Sequence, residues 1–469
     1  MSRPVRAAVV VGLVVAAWAL IALPARATRG ARLTADEPQY LLSALSLAED
    51  RDLAIDDELA AERYRPFHEA TLPVQTVVRP DGHQISPHDP LLPVLLAVPM
   101  GLGGWVAAKG TLAALAGVLA GVLVWTAHRR FAVPLGVASG TVLAFGVTAP
   151  LTAYATQVYP ELPAALVVTA AIAALTGPLG RRALVLAGLS VATLPWLGVK
   201  YVPVAAALGA VALVLLARAG RLRAAFALLA GLAGAGVAYL VAHRLLYGGW
   251  TVYASGDHFT GGELTVMGTH PDRLGRSRRL AGLLLDRGFG LAAWMPGYLL
   301  AVPALAVLIR RRPPGWALLV APLAAGWATA TWIALTMHGW WWPGRQVVVV
   351  VPCLVLAVAW WAARSRLVRA LVAATAAFGV VAWAWLVTEV LTGRRTLIVD
   401  FEQTANPLYR AWRAVLPDYR HMSADDWVLQ AAWLVILAAA AVAALRSTRS
   451  PSPSPPQPAS PRPREPVPS

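Results

Sequence analysis

Asp36 and Glu37 stand side by side in Thr34-Ala35-Asp36-Glu37-Pro38-Gln39-Tyr40, ten residues beyond a long apolar run and at the head of the amphipathic stretch Leu41-Leu42-Ser43-Ala44-Leu45-Ser46-Leu47. A carboxylate pair there fits general-base chemistry at a membrane surface, since an ionised acid within hydrogen-bond reach of a hydroxyl can take its proton. The same residues also read as a helix start, because Thr34 with Glu37 three positions on has the capping-box pattern. His88, Asp89 and Glu161 are imidazole and carboxylate groups of the kind that hold a divalent ion or an acceptor, although their spacing is not diagnostic of either. Asp257-His258, His270 and Asp272 read as extensions of a site or as ordinary polarity of a solvated loop. Trp340-Trp341-Trp342 reads as an interfacial aromatic belt or as a sugar-stacking surface.

The elements that must position these groups are membrane helices. Of 469 residues, 58% are hydrophobic and 14% charged, against roughly 45–50% and 25% in a soluble average. The apolar residues cluster into runs long enough to cross a hydrocarbon core ~30 Å thick. The formal charge of +16 comes from 38 Arg and two Lys. The arginines punctuate the apolar runs, so the positive charge is a topology signal rather than a nucleic-acid footprint, and no nucleic-acid partner is expected. The single Cys353 lies inside a run and permits no intramolecular disulfide.

The first run, Ala7 to Pro24, follows Arg3 and Arg6. Ala25-Arg26-Ala27 resembles a signal-peptidase site, but the run exceeds the usual ~7–15-residue signal core and reads as a retained helix. Further spans are expected near 106–127, 133–153, 161–178, 183–199, 202–217, 224–246, 289–309, 315–336, 347–363, 367–390 and 428–445, twelve in all. Leu91 to Trp105, broken by Pro93, Pro99 and three glycines, reads as a juxtamembrane or re-entrant segment. With that segment not crossing, the inside parts hold 19 Arg and one acid, Glu465. The expected organisation is a transmembrane domain over 1–445, with outer loops at 25–105, 247–288 and 392–427, then a disordered Pro/Ser-rich cytoplasmic tail over 446–469. The fold class is thus an all-α polytopic membrane protein of about twelve helices whose large first loop carries juxtamembrane helices. Between Asp36 and Asp89 that loop holds twelve acids and four arginines, a formal −8, which marks it as the head of a site on the extracytoplasmic face.

Taken in order, the polar elements resemble those of the GT-C superfamily, membrane glycosyltransferases that use polyprenyl-phosphate-linked sugars, in particular the protein-mannosyltransferase-like and aminoarabinose-transferase-like branches. The matching elements are Asp36-Glu37 after one apolar helix; His88-Asp89-Pro90-Leu91 leading to Gly104; and Tyr159-Pro160-Glu161-Leu162-Pro163. They continue with Gly198-Val199-Lys200-Tyr201, Asp286-Arg287-Gly288-Phe289-Gly290-Leu291 and Pro343-Gly344-Arg345-Gln346. The resemblance implies that Asp36 deprotonates an acceptor hydroxyl with Glu37 in support. The hydroxyl then attacks the sugar C1 with inversion as the lipid phosphate departs. It also implies that Lys200 and Arg345 bind the donor phosphate, whose growing charge favours a point cation and a planar guanidinium fork. Both cations also read as side chains snorkelling to the interface, and Arg244 reads either as a contact to lipid phosphate or as a snorkelling side chain. Several branches need no metal, so a divalent ion remains an option at His88, Asp89 and Glu161 rather than a requirement.

The implied function is transfer of a sugar from a polyprenyl-phosphate donor to an extracytoplasmic glycan, lipid or protein acceptor. A membrane transporter or lipid flippase without transferase activity is the alternative. It is disfavoured by spans built largely of Ala, Val, Leu and Gly, by the scarcity of mid-membrane ionisable groups, and by the lack of internal or inverted repeats. A non-catalytic scaffold of the same fold is a third reading. Arg-rich, Lys-poor usage points to a GC-rich bacterial genome and hence to a bacterial plasma membrane.

Overall fold

The computed structural model describes residues 1–259 and 261–447. Most of the expected tail, from 448 on, lies outside the described residues. The chain is an all-helical bundle; among the described residues there are only isolated β-bridges and no strand. Among the described residues eight helices are long and apolar enough to cross a membrane, which makes this a polytopic membrane protein. Other expected crossings are shorter or interrupted. The run at 133–153 gives Leu135–Gly146 and then the turn Leu151–Tyr154, because Pro150 between them has no N–H for a helix ladder. The run at 289–309 becomes Leu291–Trp294, a 3-10 turn Pro296–Leu300 and Ala301–Arg311.

The first helix, Arg3–Leu20, lies against Leu91–Arg130 at backbone contact. A Cβ on Gly12 would sit 2.6 Å from the Gly117 carbonyl oxygen, and one on Gly121 would sit 3.1 Å from that of Ala8. Ala8 and Gly12 are four residues apart, as are Gly117 and Gly121, so each small pair lies on one helix face and lets the backbones touch. Leu91–Arg130 itself is broken at Gly103 and Gly104, where the backbone leaves helical geometry and Gly104 takes φ +60°. A side chain would be strained there. The break separates the expected juxtamembrane segment from the span that follows it.

Around this pair the burial of each helix sets its place. Val351–Ala362, entered through the 3-10 turn Arg345–Val350, buries every residue but Trp361 and runs through the centre. Leu222–Tyr247 buries only Tyr239, His243 and Tyr247, one stripe at four-residue spacing, so the rest of it faces outward. In the first loop the helix Glu37–Glu49 buries its first ten residues, and it packs on the Leu91–Arg130 helix. Pro38 suits its second position, where no intrahelical N–H bond is lost.

Candidate active site

Four charged side chains from four separate segments meet at one end of the bundle. Arg345, the first residue of its turn, donates from Nη2 to Asp36 Oδ2 at 2.6 Å and from Nε to Glu161 Oε1 at 3.0 Å. Lys200, in the turn between Arg181–Leu197 and Val202–Arg218, donates to the same Glu161 oxygen at 2.6 Å. Glu161 opens the helix Glu161–Leu175 and is fully buried, a position where a carboxylate also favours the helix N-terminus. Asp36 and Arg345 lie 309 residues apart in the chain. The guanidinium of Arg345 is further held between the Tyr159 ring at 4.1 Å and the Trp341 ring at 4.8 Å. Its Nη1 and the remaining Lys200 N–H groups have no hydrogen-bond partner among the described residues.

Asp36, Lys200 and Arg345 border a cavity of about 260 Å³ that Tyr40, His88 and Asp89 also line. The segment carrying Tyr253, His258 and Phe259 completes its lining. That segment is pinned to the first loop by hydrogen bonds from Val77 N–H to the Ser255 carbonyl (2.9 Å) and from Asp257 N–H to that of Gln75 (3.1 Å). Burial alone would raise the Asp36 carboxyl, but the Arg345 charge, with His88 behind it, outweighs burial and holds it well below the usual carboxylate range. Ala35, just before it, takes a left-handed φ of +53°, a strained conformation of the sort found where neighbouring structure fixes a functional residue.

Glu37 is placed differently from its neighbour. It is buried outside the cavity, and its oxygens accept the backbone N–H of Thr34 (3.1 Å) and of Val158 (2.8 Å). The first closes the turn before the helix, whose cap position is Asp36 and not the expected Thr34, so the capping box is not formed; the second ties the Asp36 loop to the segment that leads into Glu161. Burial pushes the Glu37 carboxyl up to about 7, with Lys109 and the two N–H donors opposing. Lys109 is a site neighbour that the sequence reading passed over. A buried lysine in a span, one of only two in the chain, was the available signal.

Asp89 faces the protein as much as the cavity. Oδ2 accepts the Val199 N–H at 2.9 Å, fixing the turn that presents Lys200, while Oδ1 accepts the Tyr239 hydroxyl at 3.0 Å and lies 3.3 Å from His243 Nε2. His243 stacks on Tyr239 at 3.7 Å. Tyr239 and His243 were also missed; aromatic and imidazole groups at four-residue spacing in an otherwise Ala/Gly/Leu helix were the clue. His88 Nε2 is 3.8 Å from Asp36 Oδ2 and its Nδ1 is 2.8 Å from Ser86 Oγ. Among the described residues, potential metal-ligating side chains converge in a group of three at Asp50, Asp57 and Glu58, apart from His88, Asp89 and Glu161.

Of the second polar set only His258 lines the cavity; Asp272 instead caps a turn by accepting the Gly275 N–H at 2.7 Å. The tryptophan triplet divides its roles. Trp340 is exposed, Trp341 covers Arg345, and Trp342 is buried against Trp294 and Trp383. Arg244 donates to the Gly248 carbonyl at 2.6 Å, outside the cavity. Asp286 acts as a latch: burial raises its carboxyl, but His338 and the N–H groups of Gly288 and Phe289 outweigh burial and lower it, and its second oxygen accepts the Tyr419 N–H.

No protein-family model and no curated protein sequence matches this chain. Among solved structures it is similar to the crystal structure of ArnT from Cupriavidus metallidurans bound to undecaprenyl phosphate. The TM-score is 0.52 at 16% identity, over 94% of this chain and 72% of that one. At that identity the likeness is one of fold.

Proposed function

We propose that this chain is an inverting glycosyltransferase of the bacterial plasma membrane, moving a sugar from a polyprenyl-phosphate donor to an extracytoplasmic acceptor hydroxyl on a glycan, lipid or protein. The observation that carries the reading is the meeting of Asp36, Lys200 and Arg345 at one cavity, with the buried Glu161 holding both cations. The fold shared with ArnT, whose structure was solved with undecaprenyl phosphate, supports the donor class. In this reading the acceptor oxygen bonds to the sugar C1 as the bond from C1 to the phosphate oxygen breaks. The acceptor proton passes to Asp36, and the bonding pair leaves with the phosphate. Its charge rises from one negative toward two, so the unfilled donors on Arg345 and Lys200 bind it better as the reaction proceeds.

The pairing of Asp36 with Arg345 gives this scheme an order of events. While Arg345 rests on it, Asp36 is a weak base. A donor phosphate that draws Arg345 away restores its basicity, so the base is armed by donor binding. Glu161 orients the two cations, Asp89 positions the Lys200 turn, and Glu37 supports Asp36 by fixing its loop. Twelve crossings with both termini cytoplasmic complete the reading.

The test is lipid-linked donor consumption by the full chain in lipid nanodiscs, together with mass analysis of envelope glycans and lipid-linked sugars from a deletion strain. Accumulated lipid-linked sugar and a truncated glycan are expected in the deletion. Unchanged glycans and lipid-linked sugars would remove the transferase reading.

A further inference from the structure

Away from the Asp36 cavity, four arginines fall within seven residues: Arg273, Arg276, Arg278 and Arg279. Among the described residues none of them is paired with a carboxylate. Arg276 is buried and donates to the carbonyls of Trp332 (2.9 Å) and Met267 (2.8 Å); Arg279 donates to those of Ala334 (2.6 Å) and Leu335 (2.9 Å). These carbonyls lie in and just beyond the π-helical turn Thr329–Ile333 and before the 3-10 turn Glu263–Met267 ends, so the two guanidiniums close chain ends that lack partners of their own. Such capping explains why Arg276 and Arg279 are held. It does not neutralise them, since a carbonyl carries no net charge, and burial together with Arg276 and Arg278 pushes the Arg279 guanidinium below its ordinary value. Capping also leaves Arg273 and Arg278 unexplained. Both are exposed, and Arg278 makes only a bond from Nε to the Gly275 carbonyl at 3.1 Å.

Two cavities share this segment. One, about 290 Å³, is polar and lined by Arg276, Arg278, Arg279, Thr336, His338 and Tyr419. Its one carboxylate, Asp272, is turned to the Gly275 N–H. The other, about 480 Å³, is lined by Met267, Leu274, Trp332 and Ile333, with Arg273 at its edge. Leu274 is 86% exposed and Leu335 56% exposed, which leaves an uncovered apolar surface next to an uncompensated positive one. An apolar slot beside a cationic pocket matches a ligand with a chain at one end and an anion at the other.

We propose that the two cavities form one binding site for a phosphate-bearing lipid, with the headgroup among the arginines and the chain in the Leu274–Trp332–Ile333 slot. Arg is suited to this by its planar fork of donors, which meets phosphate oxygens in pairs. The site also bears on the cavity described above. Thr336, in its wall, accepts from Gln346 Nε2 at 3.4 Å, and the intervening turn carries Trp341 onto Arg345. Occupancy therefore steadies the turn that presents Arg345, whatever reaction Arg345 serves.

The test is photolabelling of the full chain in nanodiscs with a phosphatidic acid that carries a diazirine on its acyl chain, followed by peptide mapping; it reads binding alone and does not depend on transferase activity. Label is expected on 267–277 and 332–335, at least about tenfold above a phosphatidylcholine probe of the same chain. The double variant Arg273→Gln/Arg278→Gln, which leaves Arg276 and Arg279 on the carbonyls they cap, should lower that label about tenfold, the size expected for losing charged hydrogen bonds. Lys200→Ala should leave it unchanged. Equal labelling by the two probes on the wild-type chain, which needs no variant to fold, would overturn the proposal, as would label unaffected by the double variant.

Discussion

Arg345 bonds Asp36 and Glu161 at once, and that shared cation gives the site its sharpest expectations at the scale of single residues. Asp36→Asn keeps the shape and removes the proton acceptor, so turnover should fall on the order of 10²-fold or more. Arg345 would then lose a competitor of the donor phosphate, so the same variant should bind donor more tightly, as read by equilibrium binding of a lipid-linked sugar. Near-normal transfer by Asp36→Asn would move the base to Asp89 or Glu161. A helix-capping role for Asp36 predicts a silent Asn variant, and its side chain makes no cap bond in this structure. Because the Asp36 carboxyl lies well below its ordinary 3.8, it stays ionised as pH falls toward that value. The kcat/KM profile should therefore lack the acid limb that an ordinary aspartate would give near 3.8, which a pH series on the free enzyme checks. Glu37 has the opposite sign. Its carboxyl is raised from 4.5 to about 7, so the folded state holds the extra proton, and its contribution is fully present below about 4.5 and lost as pH rises through about 7. Glu37→Gln puts an amide donor against a backbone N–H and should destabilise by about 1–3 kcal/mol. Melting curves should show the gap to wild type widest at low pH and narrower near about pH 8. The pair was legible in the sequence as two adjacent acids with one capping pattern. Which acid faces the cavity was not, because it depends on the Val158 N–H, 121 residues away.

Among the elements, the crossings were legible wherever an apolar run carried no internal break, as at Leu222–Tyr247 and Arg366–Leu391. Breaks inside a run were harder to read. Near 289–309 the helix is delayed by Gly290, where a Cβ would sit 2.5 Å from the Asp286 backbone nitrogen, and by Pro296 in the next turn. Composition averages over such contacts, since they come from the Asp286 latch and not from hydropathy. The Gly12–Gly117 approach has the same origin and gives a direct test. Gly12→Val must push two backbones apart, as the obstructing atom is a carbonyl that cannot rotate away. It should destabilise by roughly 1–3 kcal/mol or prevent assembly, visible as a lowered melting temperature in detergent or as a lost monodisperse peak. On the other side of the cavity, Asp89 joins the Leu222–Tyr247 helix to the Lys200 turn through Val199, Tyr239 and His243. His243→Gln should then raise KM for the donor more than it lowers kcat, because it loosens the presentation of Lys200 and leaves Asp36 in place. A drop in kcat at constant KM would instead place His243 in the chemistry.

For the whole molecule, sidedness decides whether the cavity can meet an extracytoplasmic acceptor. Sidedness turns on Leu91–Arg130. An unbroken helix of its 40 residues would be about 60 Å long, twice the ~30 Å hydrocarbon core. It cannot simply cross once as one rod. The break at Gly103 and Gly104 divides it into a short segment at the site end and a crossing that carries His128, Arg129 and Arg130 to the far end. If the first segment does not cross, all later arginine turns share one side and the positive-inside rule is met by 19 Arg against one acid. Were it to cross, every later turn would change sides. Two single-cysteine variants separate these cases in a background where the buried Cys353 is replaced by Ser. Ala70→Cys, on the exposed part of the first loop, should react with a membrane-impermeant maleimide on intact cells. Arg129→Cys, exposed at the opposite end, should react only after permeabilisation. Labelling of both on intact cells would put the arginine turns outside, against their charge. The reverse pattern would turn Asp36, Lys200 and Arg345 toward the cytoplasm, and an extracytoplasmic acceptor could not reach them.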